Sequence, residues 1–479
     1  MTRKTRVTLF LFLAILFLIA APLTILYCLG WRFDWETKKI IQPGIFYFNV
    51  LPKSAEVYLD GKLKKKTDIF FGSALIENLL AKQYDIEIKK DGFYSWKKKL
   101  EIKKRQVTEA KNIVLIPINP EFNVIFKEIN DFFFSPDEKK VILKEINKKD
   151  PENLSWSLKL FEIKRNFKTH LIDERDISPA RQSPTLQTLA DGKEEVQLID
   201  LKFSSDLKRI LLKLGLKERL MYYVLEIDKT PVVLLPLDFL DLDTEEVYFY
   251  PGNSQKLLLL KEGKLSEVDL VEKKISLPIL ENIVVLSISN NDIYYINESG
   301  FFLKNNLSFS QEERLDIIPI SLKKEGEYKI EIADSYIFLK ENNVLYVFDK
   351  NKKSFQKISE PVKNLRFSPD SKKIVYFNDH EIWVLFLEKK YDQPQKEAGE
   401  QLFLTRFSEK IDNVFWYTNH YLIFDIGNKI KIAEIDDRDK VNIVDLAEFK
   451  ESRIFWNQND KKLYVLTEEN LHTSEKLAP

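Results

Sequence analysis

The sequence predicts an all-β protein in which a small β-sandwich and a domain of repeated β-sheets follow one N-terminal transmembrane helix. Three observations predict this fold class. An uncharged apolar run occupies residues 7–30, alternating apolar and polar residues fill much of 45–118, and a ten-residue cassette recurs from residue 134 onwards. Because each unit of a repeat must bury its faces against the next unit, the repeat largely determines the architecture.

The composition is that of a globular chain without an overall charge bias. Its 479 residues predict two or three domains, or one repeat array with an appended domain. Since 74 Lys and Arg balance 74 Asp and Glu, no net field attracts nucleic acid, and no nucleic-acid partner is expected. The single cysteine, Cys28, cannot close an intrachain disulfide, so the stability must come from packing.

The first element is a predicted transmembrane helix at residues 7–30, VTLFLFLAILFLIAAPLTILYCLG. At about 1.5 Å per residue this run is long enough to cross a hydrocarbon core of about 30 Å. Three cations precede it, and a stretch of mixed charge follows, so the positive-inside rule places residues 1–6 in the cytoplasm and the bulk of the chain outside. The residues expected in the interfacial aromatic belt are Tyr27, Trp31 and Trp35.

An uncleaved single-pass anchor in the cell membrane accounts for this run better than three alternatives do. A cleaved signal peptide needs a small-x-small site, which residues 29–31 do not provide. A lipoprotein signal needs a small residue where Tyr27 precedes Cys28. A buried helix of a soluble protein rarely has so long an uncharged run. The anchor is therefore preferred, and six cytoplasmic residues leave no room for a signalling module inside the cell.

A linker at 31–43 leads into a small all-β sandwich at 44–118. Its strands alternate apolar and polar residues, and Asp60-Gly61 and Asp91-Gly92 supply turns. The predicted strands are 45–50, 55–59, 84–88, 96–102 and 110–116.

The small domain resembles a PEGA domain. The resemblance is carried by PKSAEVYLDG at 52–61, YDIEI at 84–88, KDGFY at 90–94 and the strand at 107–115. Two turns depart from the family pattern, because Ser54 stands where the name motif has glycine and AKQ at 81–83 replaces the usual Pro-Gly. The resemblance implies an extracytoplasmic, noncatalytic module of cell-envelope proteins.

The small domain is also basic. Residues 44–118 contain 15 Lys and Arg against 9 Asp and Glu, a net charge of +6. Lysines on strand edges commonly serve only to block edge pairing. The alternative hypothesis is that this patch contacts anionic headgroups or wall polymers, a contact that salt would weaken. The residues of the predicted patch are Lys62, Lys64, Lys65, Lys66, Lys97, Lys98, Lys99, Lys103, Lys104 and Arg105.

The repeat domain, 119–479, is predicted to be a β-propeller of eight blades. FSPDEKKVIL at 134–143 returns as FSPDSKKIVY at 367–376, with looser copies at 203–212, 250–259 and 456–465. In every copy, an aromatic residue ends one strand and a polar turn leads into the next. Offsets near one and two periods of about 45 residues match a four-stranded blade. The predicted units lie near 131–163, 198–228, 245–271, 283–305, 328–350, 363–388, 411–436 and 452–473.

Two features of the ring depart from a simple repeat. The last unit has only about three strands, so the strand at 123–127 is predicted to complete it and close the ring. Seven blades are the alternative if 283–305 is a loop excursion. The polar, Pro-rich residues 172–196 interrupt the period and are interpreted as an inserted surface loop or spacer.

The cassette resembles that of TolB-like and WD-repeat-like propellers. Those families place a glycine after the cassette Asp, whereas this chain has Glu138 or Ser371, and no unit ends in Trp-Asp. The resemblance implies a β-propeller fold.

No catalytic, cofactor or metal site is predicted. The chain has no nucleophile elbow, zinc-protease motif, phosphate loop or calcium loop. Ser-x-x-Lys occurs at 205–208 and 354–357, where it is interpreted as chance pairing in turns. The four histidines, His170, His380, His420 and His472, are interpreted as loop or edge residues, because a shared metal site would need them to converge near the propeller axis. Trp383, Trp416 and Trp456 could form a sugar-stacking platform but are expected to pack within blades.

The sequence therefore favours a noncatalytic, membrane-anchored envelope protein whose extracytoplasmic propeller binds a protein or polysaccharide partner. The first alternative is an extracytoplasmic hydrolase or lyase with dispersed site residues, which requires two carboxylates and a histidine to converge in the propeller funnel. The second alternative is a subunit of a larger assembly.

Overall fold

The computed structural model describes residues 3–34, 38–147, 155–177, 196–216, 219–240 and 244–478, and most of them lie in β-strands. Trp35 and residues 178–195 of the predicted 172–196 insertion lie outside the described residues. The first element is helix α1 (Arg3–Cys28), which has no buried residues and is long and apolar enough to cross a membrane. A short hairpin, β1 (Arg32–Asp34) with β2 (Lys39–Ile41), follows within the predicted linker.

The small domain consists of two sheets that share one apolar core. The three-stranded sheet has the order β6-β3-β9, with β3 and β9 parallel, and the four-stranded sheet has the order β5-β4-β7-β8. Alternate residues of β3, such as Phe46 and Phe48, face a core that also contains Val57, Ile86 and Trp96 of the other sheet. The strands are β3 (Gly44–Leu51), β4 (Glu56–Leu59), β5 (Lys62–Lys66), β6 (Ser73–Leu79), β7 (Gln83–Lys89), β8 (Trp96–Glu101) and β9 (Val107–Val114).

All five strands predicted for the small domain are present, and the sequence pattern missed two more. Strand β5 was missed because its five residues are all exposed and four of them are lysines, so it has no apolar face to mark it. Strand β6 was missed although Ala74, Ile76 and Leu79 are buried. Both lie at sheet edges, but β8 and β9 do as well, so edge position alone does not explain why they were missed.

The described residues from 122 to 474 form eight four-stranded antiparallel sheets, the topology of a β-propeller. The first sheet contains β11 (Ile129–Phe134), β12 (Lys140–Asn147), β13 (Ser155–Glu162) and β14 (Phe167–Asp173), and the second contains β15 (Gln197–Phe203), β16 (Arg209–Leu216), β17 (Arg219–Glu226) and β18 (Val233–Pro236). The third sheet contains β19 (Glu246–Tyr250), β20 (Asn253–Lys261), β21 (Lys264–Asp269) and β22 (Lys274–Ile275). The fourth contains β23 (Ile283–Ser289), β24 (Asp292–Asn297), β25 (Phe302–Asn306) and β26 (Glu312–Arg314). A one-turn helix, α2 (Glu174–Ile177), follows β14.

The remaining four sheets continue the same order. The fifth sheet contains β27 (Tyr328–Ala333), β28 (Tyr336–Glu341), β29 (Val344–Asp349) and β30 (Ser354–Ser359), and the sixth contains β31 (Asn364–Phe367), β32 (Lys373–Phe377), β33 (Glu381–Phe386) and β34 (Gln401–Arg406). The seventh sheet contains β35 (Ile411–Thr418), β36 (Tyr421–Ile426), β37 (Lys429–Glu434) and β38 (Ile443–Glu448). The eighth contains β39 (Arg453–Asn457), β40 (Lys462–Thr467) and β41 (Asn470–Ser474) together with β10 (Phe122–Lys127).

The last sheet is completed by a strand from the start of the repeat domain. Strand β10 pairs with β41, from Phe122 opposite Ser474 to Lys127 opposite Asn470. This confirms the prediction that 123–127 supplies the missing strand. The weak unit near 283–305 also forms a four-stranded sheet, so it is not a loop excursion.

The cassette forms the turn between the first and second strands of a sheet. In the copy at 367–376, the Ser368 hydroxyl donates to Asp370 and accepts from the Lys373 N–H at 3.0 Å. Ser135 and Ser204 make the same contacts in their copies. The residue after the cassette Asp has a left-handed backbone, with φ of 54° at both Glu138 and Ser371. This is where related cassettes have glycine, because glycine adopts positive φ without a steric cost.

Candidate interaction surfaces

The structure divides the predicted basic patch between two opposite edges of one sheet and the turn that follows β8. Strand β5 forms one edge and β8 the other, with β4 and β7 between them. At about 4.8 Å between strands the two clusters are about 14 Å apart. Three of the lysines are paired with acidic neighbours, Lys66 with Glu56, Lys97 with Glu87 and Lys99 with Asp85. The remaining exposed cations of the set are Lys62, Lys64, Lys65, Lys103, Lys104 and Arg105.

Lys98 does not belong to the exposed patch, and its inclusion was wrong. Its side chain is 0% exposed, and its ammonium lies 2.8 Å from a carboxylate oxygen of Glu434, which is 4% exposed. The ammonium also donates to the carbonyls of Asp436 and Lys440, at 2.7 and 2.8 Å. Glu434 accepts a further bond from the indole of Trp96 at 2.7 Å. Burial raises the pKa of Glu434, and Lys98 opposes that rise.

This ion pair lies at the centre of a contact between the small domain and the propeller. The edge of β8 is covered by the loop that joins β37 to β38. Asp439 accepts from the Lys99 N–H at 2.9 Å, and Asn442 donates to the Lys97 carbonyl at 3.1 Å. Side chains of the propeller thus satisfy backbone groups that an exposed edge strand would leave unpaired.

The neighbouring edge, that of β9, is covered in the same way. The side-chain amide of Gln393 accepts from the Glu109 N–H at 3.0 Å and donates to the Val107 carbonyl at 3.1 Å. Arg438 donates to the Glu109 carbonyl at 2.7 Å. The buried Tyr421 hydroxyl accepts from the Val114 N–H at 3.0 Å. Both sheets of the small domain therefore contact the propeller.

The basic turn between β8 and β9 lies beside the end of helix α1. The Arg105 N–H donates to the Pro43 carbonyl at 3.0 Å, and the Ile45 N–H donates to the Gln106 carbonyl at 3.1 Å. The Arg105 side chain reaches to within about 4 Å of the position that a Cβ on Gly30 would take, two residues beyond the helix. The cluster formed by Lys103, Lys104 and Arg105 is therefore next to the segment that leaves the helix.

The propeller has a cavity of about 400 Å³ where the first strands of its sheets meet. Five first strands contribute to its lining, namely β11, β15, β31, β35 and β39, which places these strands at the inner side of their sheets. Its described lining includes one carboxylate, that of Glu138, and no histidine. The volume lies within the range of ordinary small-ligand sites.

One wall of this cavity is aromatic. The rings of Phe134 and Phe455 stack with centroids 3.9 Å apart and an interplanar angle of 8°. Phe415 meets Phe455 edge to face at 5.5 Å, and Phe132 meets Phe134 in the same manner at 5.8 Å. These four residues come from three different sheets, and their rings form one chain of contacts in which Phe132 and Phe415 are almost fully buried.

Two arginines line the cavity, and their environments differ. Arg453 forms an ion pair with Asp131 and lies over the ring of Phe132. The guanidinium of Arg366 lies over the ring of Phe415 at 4.0 Å, and its buried Nε has no hydrogen-bond partner among the described residues. Burial lowers the pKa of Arg366, and the charges of the Glu331 and Asp425 carboxylates partly offset this lowering.

Asp425 lies behind this site. One oxygen accepts from the Asn413 N–H at 2.7 Å, and the other oxygen is buried without a partner among the described residues. Burial raises the pKa of Asp425 from 3.8 to about 7. Near neutral pH Asp425 is thus only partly ionised and balances Arg366 incompletely.

The other residues singled out from the sequence are dispersed. Trp416 and Trp456 are buried in sheet cores and Trp383 stacks on Tyr376, which confirms that they pack within the propeller. Ser354 and Lys357 lie in strand β30, not in a turn as predicted. The histidines lie in or beside four different sheets, at His170, His380, His420 and His472.

No protein-family model matches the chain, and no curated protein matches it either. Among solved structures, it is similar to the β-propeller domain of Cps50 (Swd1) from Myceliophteria thermophila, with 11% identity, a TM-score of 0.40, and coverage of 75% of this chain and 99% of that one. The WD40 domain of SCAP from fission yeast gives 10% identity, a TM-score of 0.43, and coverage of 74% and 98%. The computationally designed protein Ika8 has 12% identity and a TM-score of 0.43, and the match covers 73% of this chain and 96% of that one. The propeller assignment rests on the strand pairings.

Proposed function

We propose that this chain is a noncatalytic, single-pass membrane protein whose eight-bladed propeller binds a protein partner outside the cytoplasm, with a PEGA-like domain between anchor and propeller. The eight sheets closed by the β10–β41 pairing support the blade number. Propellers present connecting loops and a central opening on a rigid frame, which suits recognition. The tryptophans that could stack on sugars are packed among strands, so a protein partner is preferred to a polysaccharide.

The observation that carries this proposal is the buried contact centred on Lys98 and Glu434. A flexible tether between the two domains would need no such contact. Because both edges β8 and β9 are covered by propeller side chains, the propeller is held in one orientation relative to the small domain. A fixed orientation beside a membrane is useful to a docking platform.

Membrane topology can be tested with the single native cysteine removed. A Cys28→Ser, Lys350→Cys chain carries one thiol in the exposed turn between β29 and β30. We expect a membrane-impermeant maleimide to label it on intact cells, and a Cys28→Ser chain serves as the blank. Labelling only after permeabilisation would contradict the extracytoplasmic placement.

Partner capture tests the binding role. The full chain is crosslinked in its native membranes, and the retained material is divided into protease-sensitive and glycosidase-sensitive fractions. We expect a protein that is lost when the propeller is deleted but α1 and the small domain are kept. Retention of a glycan alone would contradict the choice of a protein partner.

We also propose that the turn formed by Lys103, Lys104 and Arg105 contacts anionic headgroups. Its position beside Gly30 supports this, since a cation next to an anionic surface contributes about 1 kcal/mol. In vesicles, hydrogen exchange at 103–106 is expected to be slower with anionic than with neutral lipid, and salt should remove the difference. Charge reversal at Lys62 and Lys64, on the opposite edge, is the matched control and should leave exchange at 103–106 unchanged.

A further inference from the structure

The guanidinium of Arg366 is an unusual group in the centre of a propeller. Its Nε is removed from solvent and has no partner among the described residues. A buried polar group without a hydrogen bond is costly, and a buried charge without a counterion is more costly still. Arg366 as a whole is only partly buried and lines a cavity, so a bound anion could meet the part of its side chain that faces the cavity, although not the enclosed Nε.

The charges around the cavity indicate a ligand with one negative charge. Arg453 already pairs with Asp131, so its charge is largely neutralised within the protein. Glu138 also lines the cavity and would repel a multiply charged anion. A single planar guanidinium matches a single planar carboxylate, because two parallel N–H donors can meet two oxygens.

The apolar wall indicates what the carboxylate should be attached to. The stacked pair Phe134 and Phe455 continues into Phe415, whose ring lies under the Arg366 guanidinium. A ligand bound to Arg366 would therefore lie beside these rings, which line the same cavity. An aromatic or large aliphatic group gains about 25 cal/mol for each Å² it buries there.

From this arrangement we infer that the axial cavity binds a carboxylate attached to an apolar or aromatic group, with Arg366 holding the carboxylate and Phe415, Phe455 and Phe134 holding the apolar part. In a protein partner this chemistry is available at a C-terminal Phe or Leu, or at an acidic side chain beside an apolar residue. The inference deepens the proposed function and rests on it for the nature of the partner, but the cavity can be tested with small probes alone.

The test is a calorimetric titration of the full chain in detergent micelles with N-acetylphenylalanine and its uncharged amide. We expect the acid to bind about ten- to a hundredfold more tightly than the amide, the range expected for a hydrogen-bonded charge pair. N-acetylglycine, which has the carboxylate without the ring, should bind more weakly than N-acetylphenylalanine. Two peptides then distinguish the two possible sources of the carboxylate in a protein partner. One ends in a free C-terminal Phe, and the other contains an internal Phe-Glu and is blocked at its C-terminus.

The variant Arg366→Met should reduce the preference for acid over amide to about one. Because it removes a partly desolvated cation whose Nε has no hydrogen-bond partner among the described residues, its thermal unfolding without ligand should occur at an unchanged or higher temperature. Arg366→Gln provides a second variant if the methionine form does not fold. The matched control is Arg406→Met, which removes the same charge from a side chain that is 71% exposed and does not line the cavity.

Several results would overturn the inference. They are equal affinity for acid and amide, an unchanged preference in Arg366→Met, the same loss in Arg406→Met, and tighter binding of inorganic phosphate than of N-acetylphenylalanine. The probes need no partner protein, so failure here with successful partner capture would reject the cavity and keep the proposed function. Probe binding without partner capture would keep the cavity and reject the proposed function.

Discussion

Replacing Lys98 by methionine tests the contact between the small domain and the propeller most directly. Methionine keeps most of the side-chain length and removes the ammonium. The change leaves the Glu434 carboxylate buried without its cation, and it leaves the carbonyls of Asp436 and Lys440 without their shared donor. Because Glu434 is 4% exposed, solvent cannot replace the lost charge.

The expected cost can be worked out in two ways. Removing one member of a buried ion pair typically costs about 3–5 kcal/mol. Alternatively, Glu434 can take up a proton. From its ordinary pKa of 4.5 this costs about 3.4 kcal/mol at pH 7, at about 1.4 kcal/mol per pH unit. Both routes give a loss of roughly 3–4 kcal/mol at neutral pH.

The second route also gives the loss a pH dependence. In Lys98→Met the folded state holds Glu434 protonated, whereas the unfolded chain ionises it above pH 4.5. The folded state therefore binds the extra proton, so the stability of the variant falls as pH rises. We expect the deficit relative to the native chain to be smaller at pH 5 than at pH 8.

The assay is urea unfolding of the full chain in micelles, followed by tryptophan fluorescence, because the Trp96 indole bonds directly to Glu434. Lys97→Met is the matched control. It removes a lysine that is 65% exposed and paired with Glu87, and should cost no more than about 0.5 kcal/mol. Lys98→Met/Glu434→Gln should recover at least half the loss, since the amide can accept from Trp96 without a buried charge.

A loss below about 1 kcal/mol for Lys98→Met would refute the reasoning, because it would mean that water or a rearranged side chain compensates Glu434. A double variant less stable than Lys98→Met would refute it as well. Equal losses for Lys98→Met and Lys97→Met would show that strand β8 tolerates the change for reasons unrelated to burial.

Two further predictions concern the propeller. Asp425→Asn should stabilise the chain at pH 8, by at most about 4 kcal/mol, since the fold raises the pKa of this carboxyl from 3.8 to about 7. The native chain loses that stability as pH rises from about 4 to about 7, so melting temperatures of the two chains should converge below pH 4; a gap that persists there would contradict the burial argument. Ser371→Gly should raise stability by about 0.5 kcal/mol because φ is 54° at this position, and Ser371→Val should lower it, as measured by urea unfolding. A destabilised glycine variant would show that the left-handed turn carries no cost.

The repeat made the propeller predictable to the level of its strands. The cassette marked where first and second strands meet, and the missing strand of the last unit pointed to 123–127, which pairs with β41. The turn geometry shows why the cassette tolerates Glu138 and Ser371 in place of glycine. The Ser-Asp hydrogen bonds hold the turn, so one left-handed residue is tolerated there.

The burial of Lys98 was missed although a signal for it existed. Its neighbours Lys97 and Lys99 make the segment look like a surface cluster. However, side chains alternate along a strand, and Trp96 and Leu100 are core residues, so Lys98 must share their face. A lysine on the apolar face of a strand indicates a buried carboxylate partner. The sequence could not identify that partner, since Glu434 lies in another domain.

The axial cavity could not be predicted, because the feature that marks it is a missing hydrogen-bond partner and not a residue type or a spacing in the sequence. Arg366 alternates with Leu365 and Phe367 in strand β31 and has the pattern of an ordinary outward-facing polar residue. What distinguishes it is that its Nε has no partner among the described residues, and the lack of a partner has no sequence pattern. The aromatic wall comes from β11, β35 and β39, which lie far apart in the sequence, belong to three different sheets and line one cavity in the folded propeller. A site defined by strands of three different sheets and by an unsatisfied charge therefore becomes visible only in three dimensions.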